Sequence, residues 1–137
     1  MAMRRLLDIL FMLASAWTMP ALAGQQHFAG TWEAKYKDQV FIRLTLQEND
    51  GVTGTLSGGN IQANDDGEIT EASGGGQELP ITNTRREAPD KLTFDWKDSD
   101  NETLKFTLRL TRDGEAELRF DSLPEGAKLK PIPLRRH

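Results

Sequence analysis

The chain has 137 residues, 28% of them charged and 37% hydrophobic, with a formal net charge of −4 and no cysteine. That length suits one domain around one core. Having no cysteine excludes thiol catalysis and any cysteine-based metal site, and an acidic balance without a basic stripe gives no footprint for nucleic acid.

Residues 1–23 read as a secretory signal peptide. Arg4 and Arg5 form a positive start, Leu6 to Trp17 is mostly apolar with Asp8 interrupting, and Pro20 precedes the small-residue cleavage site Ala21-Leu22-Ala23. The apolar run is short for a membrane-spanning helix, which needs about 20 residues. The mature chain is expected to begin at Gly24, and 137 less 23 leaves 114 residues, a single all-β domain over 24–137 with no membrane span. Taking Arg4 and Arg5 from the 17 basic residues and Asp8 from the 21 acidic ones leaves it a net charge of −5. An exported domain without disulfides points to a bacterial periplasm or exterior.

A first strand is predicted over Gly30 to Tyr36, carrying Trp32. A second runs from Val40 to Gln47, where Val40, Ile42, Leu44 and Leu46 alternate with polar residues. Phe41 breaks that alternation and predicts that the outer face is covered near this end. Asn49-Asp50-Gly51 reads as a three-residue loop that sets Leu44 against Leu56 and Thr45 against Thr55. The third strand, Val52 to Ser57, holds Gly54 at an inward position, a sign of a bend or a close approach. Asn60 to Gln77 is poorly determined: Asn64-Asp65-Asp66-Gly67 is a turn, Glu68 to Ala72 a short strand, and Ser73-Gly74-Gly75-Gly76 a flexible link. Leu79 to Thr82 reads as a strand edge, and Lys128 to Arg135 as a final extended segment limited by Pro131 and Pro133.

The clearest pattern lies between Lys91 and Phe120. Leu92, Phe94 and Trp96, then Leu104, Phe106, Leu108 and Leu110, then Ala116, Leu118 and Phe120 occupy alternate positions, which is a three-stranded meander with one buried face. A three-residue loop with Gly114 in the left-handed region keeps the faces aligned and pairs Leu110 with Ala116, Leu108 with Leu118, and Phe106 with Phe120. On the outer face this register sets Arg109 opposite Glu117 and Lys105 opposite Asp121, whereas the next register would oppose Arg109 to Arg119. The preceding loop, Asp98 to Glu102, places Trp96 by Leu104, Phe94 by Phe106 and Asp95 by Lys105. Eight or nine short strands without a helix imply an antiparallel up-and-down meander closed into a barrel, with a β-sandwich as the alternative.

Gly30-Thr31-Trp32, opening the first strand of such a chain, resembles the G-x-W signature of lipocalins and related calycins. The resemblance implies a lipocalin-like barrel in which the Trp closes the bottom against an Arg from late in the chain, here Arg119 or Arg135. The later T-D-Y motif of lipocalins is absent. More of the chain resembles small secreted bacterial β-domains, a group largely without known activity, through Leu44-Thr45-Leu46, Gly51 to Leu56, Lys91 to Phe94 and Pro131 to Arg136.

The residues offer little catalytic chemistry. A hydrolytic triad needs a His base, and His27 and His137 both lie at the ends of the mature chain, where solvated side chains are the rule. Histidines at zinc spacing are lacking. Asp98-Ser99-Asp100-Asn101-Glu102 alternates oxygen ligands, but a calcium loop would have Gly in place of Thr103 and Glu in place of Arg109, so a polar hairpin tip accounts for the run. The expected protein is a non-enzyme without metal or cofactor. Its candidate site is the inward aromatic set Trp32, Phe94, Trp96, Phe106 and Phe120, which either fills a barrel of eight strands or lines a cavity for one small apolar ligand. The alternative is a protein-interaction or inhibitor module that uses a sheet edge or the Asn60 to Arg86 region.

Overall fold

The computed structural model describes residues 27–137. The signal peptide and cleavage site expected over residues 1–23 lie outside them. Among the described residues ten strands are present: β1 (Gly30–Tyr36), β2 (Gln39–Glu48), β3 (Val52–Gly58), β4 (Asn60–Ala63), β5 (Ile69–Ser73), β6 (Leu79–Ala88), β7 (Lys91–Lys97), β8 (Thr103–Arg112), β9 (Glu115–Phe120) and β10 (Ile132–Arg136). Eight of them close an antiparallel barrel in the order β1-β10-β9-β8-β7-β6-β3-β2, while β4 and β5 form a separate hairpin. Apart from that excursion, each barrel strand lies beside its successor in the chain, the up-and-down connectivity of a lipocalin-like barrel. No described helix is long and apolar enough to cross a membrane.

The registers follow from alternation and turn chemistry. Strands β8 and β9 pair Phe106 with Phe120, Leu108 with Leu118, Arg109 with Glu117 and Leu110 with Ala116, and Gly114 takes a φ of 75° in the turn between them. Strands β7 and β8 pair Phe94 with Phe106 and Trp96 with Leu104, and β2 and β3 pair Leu44 with Leu56 and Thr45 with Thr55. A one-residue slip in any of these ladders would turn the apolar set outward. Lys105 and Asp95 are register partners as expected, with Lys105 Nζ 3.5 Å from Asp95. One side chain departs from the expected pairing: the Asp121 carboxylate accepts the Thr107 hydroxyl and, at 3.0 Å, Arg119 Nε.

The interior is packed most tightly towards the end where β1 starts. Phe28, Trp32, Leu44, Leu92 and Leu108 are fully buried there, and each such side chain contributes about 1.5–3 kcal/mol relative to exposure. Polar groups seal this end. Glu48 Oε2 accepts the backbone N–H groups of Phe28 at 2.6 Å and Ala29 at 3.2 Å, and its other oxygen takes Arg86 at 2.7 Å. The Arg86 guanidinium lies 4.9 Å from the Phe28 ring centroid.

The arginine over Trp32 is Arg136, neither Arg119 nor Arg135. Its guanidinium lies 4.5 Å from the Trp32 ring and donates to the His27 carbonyl, and the two residues are register partners across β1 and β10. Alternation decides the choice. Ile132 and Leu134 are buried, so Arg136 shares their face and Arg135 points away, 4.0 Å from Glu115. Arg119 is outward on β9, held by Asp121.

The Asn60 to Arg86 region is more regular than its sequence reads. β4 and β5 pair Ile61 with Ala72, and β6 extends for ten residues to Ala88. The hairpin leans on the β1–β2 end of the barrel, where the Tyr36 hydroxyl donates to the Thr70 carbonyl at 2.7 Å and the Gly59 N–H donates to the Phe41 carbonyl at 3.0 Å. This is the cover over Phe41, which is buried on the outer face.

Candidate functional site

Opposite the Trp32 end, the barrel holds a cavity of about 390 Å³. Its walls come from six elements. β2 and β3 supply Ile42 and Leu56, β7 and β8 supply Trp96, Leu104 and Phe106, β9 supplies Leu118 and Phe120, and the hairpin supplies Ile61. The rim consists of Gly58-Gly59, Asn60, Gly74-Gly75-Gly76 and the Asp98-Ser99-Asp100 tip. The volume lies in the range of small-molecule pockets, about 300–1,000 Å³, and apolar walls with a few polar groups at the opening are their usual composition.

The candidate aromatics divide between core and cavity. Trp32 belongs to the sealed end, where its indole N–H donates to the Phe28 carbonyl at 2.8 Å. Phe94 is buried beneath the cavity and stacks on Phe106 with ring centroids 5.3 Å apart. Phe106 is the floor. Trp96 meets it edge-on at 6.4 Å and Phe120 at 4.6 Å, and all three line the cavity. These pairings hold the rings in one geometry, each worth about 0.5–1.5 kcal/mol beyond its buried area. Trp96 is further fixed by its indole N–H, which donates to the Leu79 carbonyl at 3.2 Å.

The glycine links shape the rim by letting chains cross. A Cβ on Gly59 would sit 1.6 Å from the Ser73 carbonyl oxygen, and one on Gly76 would sit 2.1 Å from the Gly58 carbonyl oxygen. The two links to the hairpin therefore pass in backbone contact, which no other residue permits. Gly74-Gly75-Gly76 reads in the sequence as a flexible link, whereas in the structure it forms part of the rim. The spacing of Gly58-Gly59 and Gly74-Gly75-Gly76 on either side of a short hairpin was the available signal.

The two acidic runs hold their own backbones. Asp98 Oδ1 accepts the backbone N–H groups of Asp100 and Glu102, both at 2.9 Å, and Asn64 Oδ1 likewise accepts from Asp66 and Glu68. Both runs are thus Asx-type turns. Among the described residues, no group of three or more metal-ligating side chains comes together. His27 and His137 are exposed at the sealed end, beside Glu48 at 3.9 Å and Glu33 at 3.8 Å respectively. Comparison with protein-family models, with curated proteins and with solved structures finds no match for this chain.

Proposed function

We propose that this is an exported, non-catalytic binding protein that holds a small apolar ligand in the open end of its barrel. The observation that carries the proposal is the cavity of about 390 Å³ floored by Phe106 and walled by Trp96, Leu104 and Phe120. The Trp32 end is closed by buried side chains, with a groove among Glu48, Val52, Thr84, Arg86 and Leu92 at its margin, whereas the other end is hollow, and the resemblance of Gly30-Thr31-Trp32 to the calycin signature agrees with that division. A fully packed barrel would close both ends with side chains. The sheet-edge alternative has less to work with, because closure removes the edges of the eight barrel strands and leaves those of the β4–β5 hairpin.

Tryptophan fluorescence tests this proposal. Trp96 lines the cavity and Trp32 is at the sealed end. A neutral hydrophobic probe should shift the emission of the secreted protein, and Trp96→Phe should abolish the shift while the Trp32 signal stays constant. Native mass spectrometry of the gently purified protein should then find a small-molecule adduct on residues 24–137. A probe that leaves Trp96 emission unchanged, together with a bare mass, would overturn the proposal.

A further inference from the structure

We infer that the ligand is chain-like, and that its tail leaves the barrel to lie in a second cavity between the β4–β5 hairpin and the loop 121–131. This rests on the carrier reading and extends it. The second cavity measures about 560 Å³, and its walls include Ala63 of β4 and Leu123, Pro124, Ala127 and Leu129 of the loop.

The two cavities share a partition. Ile61 and Phe120 line both of them. Both are partly buried and pack against the core. Neither side chain has a polar atom to be tied by a hydrogen bond, and Phe120 is held by its edge contact with Phe106, so a ligand that joins the two spaces displaces these side chains by rotation about χ1. The groove itself is held on both sides. The Lys130 N–H donates to the Gly67 carbonyl at 2.9 Å, and Lys130 Nζ lies 3.7 Å from Glu68, so the loop is joined to the hairpin turn rather than resting beside it. The charged residues lining the groove are Asp65 and Lys128, which are of opposite sign. Such walls select for apolar length and not for charge. A linear alkyl chain fits this pair of spaces, whereas a compact ring system would use the inner one alone.

Calorimetric titration with straight-chain primary alcohols from hexanol to hexadecanol separates the outcomes. Each added methylene should tighten binding about fourfold while it is being buried, from ~0.8 kcal/mol per methylene. In the unmodified protein the series should continue to longer chains than in Ala127→Trp or Ala63→Trp, which fill the groove from opposite walls. The shortest alcohols should bind all three proteins equally. If all three series level off at the same length, the ligand stays inside the barrel, and this inference fails while the carrier reading stands. If no alcohol binds any of them, the carrier reading itself fails.

Discussion

Arg136 acts on three neighbours at once. Its guanidinium lies over the Trp32 ring, donates to the His27 carbonyl, and its chain passes within 3.3 Å of where a Cβ on Gly30 would sit. A side chain of this kind stabilises through packing as much as through charge. Arg136→Ala is expected to lower stability by about 1–3 kcal/mol, adding a cation–π term to a lost hydrogen bond. Arg136→Lys should recover only part of this, because an ammonium cannot lie flat on the indole. Urea denaturation of the three proteins checks the order. A second residue-scale prediction concerns the β1–β2 turn. Lys37 and Asp38 both have positive φ, 51° and 66°, in a two-residue hairpin loop that favours Asn-Gly. Asp38→Gly should raise stability by about 0.5–1 kcal/mol, since left-handed strain of ~1–2 kcal/mol exceeds the entropic cost of glycine. A lower melting temperature for that variant would show that Asp38 contributes something the backbone angles do not reveal.

At the scale of elements, legibility depended on whether one face of a strand was uniformly apolar. β7, β8 and β9 could be placed residue by residue, because alternation, the Asp-Gly turn and outer-face charges such as Arg109 and Glu117 all select one register. β6 could be read only at its start. Asn83 takes a φ of 50° and the register with β7 shifts between Thr82 and Arg85, so the buried Ile81 and the Arg86 opposite Leu92 share an inward face with odd and even numbers respectively. The inward group at the far end is then an arginine, paired with Glu48 and Phe28, which resembles an exposed strand in the sequence. Trp96, Phe106 and Phe120 were legible as inward residues. Their separation from Trp32 and Phe94 was not, because it depends on the hairpin and loops at the mouth. The hairpin also supplies the next prediction. Gly59→Ala places a Cβ against the Ser73 carbonyl and should undock β4–β5 while leaving the eight-stranded sheet intact. Hydrogen exchange should become fast across residues 60–73 and stay slow in β7 to β9. Uniform loss of protection would instead mean that the hairpin and barrel unfold as one unit.

Across the whole molecule, the proposed carrier function would divide stability from binding between the two ends of one barrel. Phe94 and Phe120 are both on the inward aromatic set, and both touch the column centred on Phe106, directly or through one ring pair. They differ in what lies on their other side. Phe94 is 2% exposed, surrounded by core beneath the cavity, and Phe94→Ala should leave a void among buried side chains, costing about 3–5 kcal/mol. Phe120 borders empty space in two directions, so Phe120→Ala gives up fewer contacts and merely enlarges a cavity that already exists. Its cost should fall well below that of Phe94→Ala in the same urea titration. The order should reverse in binding. Any Phe94→Ala protein that remains folded keeps Trp96, Phe106 and Phe120 on the cavity, whereas Phe120→Ala removes a wall and the partition together and should change both the affinity and the length preference for alkyl ligands. Equal losses of stability at the two positions would mean that the mouth is packed as tightly as the sealed end, leaving a barrel with no room for a ligand.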